Sequence, residues 1–413
     1  MLRRFGLAAA GGLLALMLAV ALIGVGPRVR AAGAQSGVAG YVYVNGNTVK
    51  GNSIVAFARQ ADGTLTPLTG SPFAAGGAGT GKPIASQGAL QLSADGDYLI
   101  AVDAGSGQLS VLRVGADGAV TLVDDSPVSS GGLNPVSIAV HDDLVYVANA
   151  GDGKTGSNYT GFRLGSHGQL SPIAGSTVSL APTANPGDLF FNSTGTLLIG
   201  TEVGPMDGPS FIDSFRVGQD GKLTAAAGSP FAAQAVGPFG GEFNPVNPNE
   251  VYISNAHAGA NQGSVSAYTV ASDGGLTPIG DSPYFNKQTA ACWVEISHDG
   301  KYLFAVNTAV PSVSTYQIMA DGSLSLLGST VFNQPTGLAP FDARLDPEGH
   351  NLYVIDPGRN AVSVFAVNGG TLTELASSPV SLAANAASID PAGSPIASPA
   401  ALPAAAPAGI VVN

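Results

Sequence analysis

One phrase returns along this chain in seven variants, and that recurrence limits the fold more than any other feature. The copies are "SIVAFARQADGTLTPLTGSPF", "QLSVLRVGADGAVTLVDDSPV", "YTGFRLGSHGQLSPIAGSTV", "FIDSFRVGQDGKLTAAAGSPF", "SVSAYTVASDGGLTPIGDSPY", "SVSTYQIMADGSLSLLGSTV" and "AVSVFAVNGGTLTELASSPV". They stand roughly fifty residues apart, a period typical of stacked or radially repeated units. A second phrase lies between them, as in "ALQLSADGDYLIAVD", "SIAVHDDLVYVAN", "WVEISHDGKYLFAVN" and "ARLDPEGHNLYVID".

Each unit therefore reads as four short apolar runs separated by turns. The runs are rich in Val, Ile, Leu, Tyr and Phe and often alternate with polar residues, the pattern of half-buried strands. Asp-Gly between such runs predicts hairpins, through a type I′ turn that asks positive φ of both central residues. Four strands joined in this way make one antiparallel sheet. Seven such sheets arranged radially make an all-β, seven-bladed β-propeller.

The first unit starts late, at "GYVYVN" (Gly40–Asn45), and lacks one strand. The terminal "GIVVN" (Gly409–Asn413) supplies a candidate for it. Pairing of the two would close the ring and remove exposed sheet edges. The stretch 383–408 is Ala/Pro/Ser-rich and reads as a loop before that closing strand. Residues 35–413 are thus expected to form a single propeller domain.

Residues 1–34 read as an export signal: Arg3 and Arg4, an apolar run from Leu7 to Val25, then small residues at Ala32-Gly33-Ala34. The run is also long enough to serve as an N-terminal membrane anchor if it is not cleaved. The expected location is secreted or extracytoplasmic, or membrane-anchored in the second case. A net charge of −12 and the lack of any later basic run argue against nucleic acid, and against a membrane surface after cleavage. Cys292 is the only cysteine, so no intrachain disulfide can form, and it reads as a small buried apolar residue. A monomer is expected.

Units of the form "DGxLTxLxGSPF … DGxxLYVAN" resemble the seven-bladed lactonase propellers, the group of 6-phosphogluconolactonase and carboxymuconate cyclase. The resemblance runs from about Val38 to Val380. It implies a lactone-hydrolysing site near the central channel, built around a Gly-Pro-Arg-His motif at the start of a middle blade's first strand. The matching stretch here is "GPFGGEF" (Gly237–Phe243), in which Phe239 stands for the arginine and Gly240 for the histidine.

Alignment of the units on their turns gives a column of channel-strand residues: Gln91, Ser137, Phe190, Glu242, Glu295 and Arg344. Glu242, Glu295 and Arg344 come from three neighbouring blades and are the candidate catalytic groups. One carboxylate would activate water as general base, and Arg344 would stabilise the oxyanion. Asp342 shares a strand face with Arg344 because alternate residues point the same way. Candidate ligand contacts are Gln91, Glu202, His257, Trp293, Asp342 and Arg359. A second column ends the second strands: Asn45, Asp103, Asn149, Thr201, Asn255, Asn307 and Asp356, a set suited to local backbone hydrogen bonds.

No metal site is expected, since one loop histidine does not make one, although paired channel carboxylates could hold a divalent cation. No other cofactor is implied. Only twelve Lys and Arg follow residue 34, few for gripping a phosphate. The function expected is that of an exported lactonase acting on an unphosphorylated small lactone. The alternative is a non-catalytic propeller that binds a ligand, glycan or protein on its loop face.

Overall fold

The computed structural model describes residues 37–205, 208–334, 337, 339–383 and 406–413. The expected signal segment, and most of the Ala/Pro/Ser-rich stretch, lie outside the described residues. Among the described residues no helix is long and apolar enough to cross a membrane.

Seven antiparallel sheets form the seven blades of a propeller. In chain order, the innermost strands of blades 2 to 7 are Leu90–Leu92, Pro135–His141, Pro186–Phe191, Pro238–Asn244, Ala291–Ile296 and Ala343–Leu345. Blade 1 takes its innermost strand from the C-terminus, Ile410–Val412. That strand pairs antiparallel with Val38–Asn45 through Val42↔Val412, Tyr43↔Val411 and Val44↔Ile410, so the ring closes as expected. Arg59, nearly inaccessible, clasps the closure: its Nη2 and Nε donate to the Asn413 carbonyl at 3.1 and 3.3 Å. Its Nη1 lies 3.5 Å from Asp346 and 2.9 Å from Glu348 of blade 7.

The recurring phrase is the outer hairpin of each blade, and its conserved parts have separate tasks. Only the glycine of each Asp-Gly pair takes positive φ, for example Gly63 at 84° and Gly118 at 81°. The expected type I′ turn is therefore replaced by a longer one, in which Gly63 N–H bonds the Gln60 carbonyl and Gln60 N–H bonds the Thr64 carbonyl. This is a turn with a glycine bulge, in which the aspartate keeps an ordinary backbone and its carboxylate caps the N–H two residues on. Beyond the turn, the serine before the recurring Pro or Thr breaks the outer strand in six blades, while in blade 6 Leu324–Val331 is continuous. Ser71, Ser126, Ser176, Ser229, Ser282 and Ser378 each accept an N–H of the third strand at 2.8–3.1 Å.

The two phrases also hold neighbouring blades together. The hydroxyls of Tyr43, Tyr98, Tyr146, Tyr252 and Tyr353 donate to backbone carbonyls in the next blade's outer turn, at 2.8–3.2 Å. Each such bond contributes about 1 kcal/mol. The aliphatic and aromatic side chains between them form the cores that separate adjacent sheets.

Candidate functional site

The inner strands present their side chains to the channel in layers. Gln91, Phe190, Glu242, Glu295 and Arg344 pair with Ile100, Ile199, Tyr252, Phe304 and Tyr353, at corresponding points of the second strands. In blade 3 the equivalent residue is Ala139, opposite Tyr146, and not Ser137. The shortened turn of that unit displaces the alignment by one pleat. Ser137 belongs to the next layer, with Asp188 of blade 4 and Trp293 of blade 6.

Gln91, Glu242, Glu295 and Arg344 line one cavity of about 240 Å³, together with Gln87, Asp188, Phe190 and further residues of blades 3 to 5. The expected convergence of the two glutamates and the arginine is present. Apart from Asp188, the strand residues on the wall lie at the middle of their strands or beyond it, towards the first hairpin. Val140, Phe190, Phe191 and Glu242 there are partly exposed, so the cavity opens at the hairpin face.

The charges are arranged around Arg344, whose side chain is 19% exposed and whose Nη1 is 3.2 Å from Glu295 Oε2 and 3.6 Å from Asp342 Oδ1. Nη1 also donates to the Ala343 carbonyl, while Nη2 and Nε make no hydrogen bond among the described residues. Burial works against the guanidinium charge, but Asp342, Glu295 and Glu242 outweigh it and raise the pKa. The carboxyls are raised too, in each case chiefly by burial. Glu242 stands well above the usual range, with Glu295 adding to the shift and Arg344 opposing it. Glu295 and Asp342 are raised despite Arg344, and Asp188 is pushed up to about 7.

These carboxyls have a second task that the sequence did not suggest. Each accepts a backbone N–H from another blade: Asp188 from Gly241 at 3.0 Å, Glu242 from Ile296 at 2.7 Å, Glu295 from Leu345 at 2.9 Å, Asp342 from Gly88 at 3.3 Å. They clip the inner strands together. Glu295 has both oxygens engaged, whereas Glu242 keeps Oε1 free among the described residues. Asp188 was within reach of the alternation rule, since it precedes Phe190 as Asp342 precedes Arg344. Gln87 sits in a loop and carried no signal.

The remaining candidates lie elsewhere. Glu202 pairs with Pro186 as Asn149 pairs with Pro135 and Asn307 with Ala291. Glu202, and not Thr201, therefore holds the Asn/Asp position of blade 4. Its carboxyl is pushed up to about 8 by burial and by Asp213, with which it shares a hydrogen bond. Asp213 in turn accepts the Tyr159 hydroxyl at 2.9 Å. His257 and Arg359 follow their second strands onto the loop face, away from the cavity. His257 has a buried Nδ1 without a partner among the described residues, and burial lowers its pKa. Arg359 bonds Gln334. Trp293, 1% exposed, stacks on Phe341 at 4.6 Å and donates to the Ser86 carbonyl at 2.8 Å, inside the molecule and not on the cavity wall. Among the described residues no three His, Cys, Asp or Glu side chains are grouped to hold a metal ion.

The Gly-Pro-Phe-Gly stretch is part of the same interior. Phe239 packs edge-on to Trp293 at 5.0 Å. A side chain at Gly240 would begin 2.1 Å from Gln87 Oε1. The positions where the resemblance expects arginine and histidine are thus filled by an aromatic contact and by Gln87.

Residues 197–387 match the family model described as lactonase, 7-bladed beta-propeller. Over that stretch the chain is similar to the lactonase propellers. No curated protein matches its sequence. Among solved structures, a putative 6-phosphogluconolactonase from Bacteroides fragilis is 20% identical, with a TM-score of 0.66, covering 91% of this chain and 98% of its own. One from Bacteroides uniformis is 22% identical, TM-score 0.65, covering 83% and 97%. The periplasmic gluconolactonase of Pseudomonas aeruginosa is 15% identical, TM-score 0.65, covering 90% and 98%. At these identities the likeness to solved structures is one of fold. The chemistry of this propeller rests on its own cavity.

Proposed function

We propose that the protein is an exported lactonase that opens a small, unphosphorylated lactone in the hairpin-face cavity. The observation that carries this reading is the pairing of Arg344, with Nη2 and Nε unengaged, and Glu242, with Oε1 unengaged. A lactone carbonyl oxygen receives the Arg344 N–H groups. Glu242, ionised, takes a proton from water, whose oxygen adds to the carbonyl carbon. The tetrahedral adduct collapses with breakage of the ring C–O bond, and the leaving alkoxide takes the proton back from Glu242 to give the hydroxy acid. Glu295 holds Arg344 in place.

Four carboxyls surround the single arginine, so a phosphate or second carboxylate on the substrate would meet repulsion. The solved relatives named for 6-phosphogluconolactone and gluconolactone bracket the choice, and the unphosphorylated sugar lactone fits this charge balance better. No metal is needed in this scheme. The reading also takes residues 1–34 as a signal and the mature protein as a monomer.

A second reading is favoured by Phe239 and Gly240: a non-catalytic propeller that binds a ligand, with the carboxyls serving only as clips. Assay of the purified mature protein on neutral aldonolactones and their phosphorylated counterparts, with and without EDTA, separates the two. Turnover of the neutral lactones that resists EDTA and is lost in Glu242→Gln supports hydrolysis. No turnover on any lactone, or turnover unchanged in Glu242→Gln and Arg344→Ala, overturns it.

A further inference from the structure

The seven inner strands leave a channel that runs between two faces, yet the cavity reaches only one of them. The segment Lys82–Gly88 leaves the loop face, where Lys82, Pro83 and Ala85 are exposed, and enters the ring. Ser86 and Gln87, 2% and 3% exposed, then bridge the channel. Ser86 Oγ donates to the Val136 carbonyl at 2.6 Å, and Ile138 N–H bonds the Gly88 carbonyl at 2.9 Å, both in blade 3. Gln87 N–H bonds Gly187 of blade 4 at 2.9 Å. The Gln87 amide pairs with Val294 of blade 6 as a further strand would: Nε2 donates to its carbonyl at 3.0 Å and Oε1 accepts its N–H at 3.1 Å. Gly88 N–H reaches Asp342 of blade 7. Against the loop-face side lie Trp293, Phe239 and Phe341, all buried.

We propose that Ser86–Gln87–Gly88 is a stopper that seals the channel, so that the cavity takes its ligand from the hairpin face alone and holds one small ring. The volume of about 240 Å³ equals roughly eight waters of bulk liquid, room for a single ring and its hydroxyls. A second ring on the buried end would meet Gln87. The stopper also reaches the charged groups, because Gly88 N–H holds Asp342, which flanks Arg344. The size limit rests on the lactonase reading; the seal does not.

The protein carries its own reporters of the seal. Trp293 is the only tryptophan and donates to the Ser86 carbonyl, and Cys292 beside it in the strand is the only cysteine; both are buried. Acrylamide quenching of Trp293 and alkylation of Cys292 by iodoacetamide are to be measured in the native protein and in Gln87→Gly and Gln87→Asn. The seal predicts weak quenching and slow alkylation in the wild type. In whichever variant keeps a cooperative melt, quenching should rise at least threefold and alkylation at least tenfold. Ready quenching or labelling of the native wild type overturns the seal, and so does a folded Gln87→Gly as protected as the wild type.

On the lactonase reading, wild-type kcat/KM should favour monocyclic over bicyclic lactones by at least a hundredfold, and Gln87→Gly should narrow that ratio tenfold. An unchanged ratio overturns the size limit. If no lactone is turned over, the lactonase reading falls and the size limit with it, while the reporter result still decides the seal.

Discussion

Arg344 Nη1 sits 3.2 Å from Glu295 Oε2, and the other Glu295 oxygen accepts the Leu345 N–H of Arg344's own strand. One carboxyl thus holds both the side chain and the backbone of the next blade. Glu295 is spent on position, and Glu242 is left with the free oxygen. The activity predictions below follow from that division of labour and presume the lactonase reading.

Arg344→Ala should lower kcat on a neutral lactone by about a hundred- to a thousandfold, the usual cost of losing an oxyanion donor. Glu295→Gln keeps an acceptor for Leu345 N–H but loses the charge, and should cost about tenfold, through misplacement of Arg344. Steady-state kinetics on proteins with matched circular dichroism checks both. A larger loss in Glu295→Gln than in Arg344→Ala would reverse the roles.

The rate should depend on pH through Glu242. If Glu242 is the base, kcat/KM is level above its raised pKa and falls tenfold per pH unit below it. Glu295 contributes to the upward shift, so Glu295→Gln should move the acid limb to lower pH. A pH–rate profile whose limb stays in place would remove Glu242 from the chemistry.

Stability should fall as pH rises, the reverse of a protein held by salt-bridged carboxylates. Asp188 titrates near 3.8 when exposed and is pushed up to about 7 in the fold by burial. Between these values the native state keeps a proton that the unfolded chain has released. Its stabilisation is complete below pH 3.8 and is lost as pH climbs through about 7. Asp103, pushed up to about 6, and Glu202, to about 8, act with the same sign. The Tm should therefore be higher at pH 5 than at pH 8, and Asp188→Asn should narrow the gap. An equal or rising Tm would show that the buried carboxyls are ionised and paired.

Closure of the ring should be worth more than an ordinary surface contact. Arg59→Ala removes the bonds to Asn413 and leaves the buried Asp346 without its cation, at a cost of roughly 3 kcal/mol. Deletion of Ile410–Asn413 exposes the edge of Val38–Asn45 and should cost more still. Urea melts test both, and a Cm unchanged by the deletion would mean that the closing strand is dispensable.

Much of this was legible in the linear order of residues. The blade count, the borrowed closing strand and the convergence of Glu242, Glu295 and Arg344 all follow from a repeated pattern of period two inside a longer period. Turns recur at fixed offsets, and strand alternation sends equivalent residues to the same face. The same logic reached Asp342, and applied to Phe190 it reaches Asp188. It failed in two places: the short turn of blade 3 put Ser137 where Ala139 belongs, and in blade 4 the second-strand column falls one residue early, on Thr201 instead of Glu202.

Which face holds the cavity was decided only by tertiary structure. Ser86–Gln87–Gly88 lies outside the repeat, and its partners Val294 and Asp342 are 207 and 254 residues away from Gln87 and Gly88. A loop's path through a ring depends on the backbone groups that the other blades leave unpaired, and no local propensity encodes those. Repetition along the chain determines the ring. What fills its centre, and therefore from which side a ligand arrives, is settled by contacts that exist only once the ring has closed.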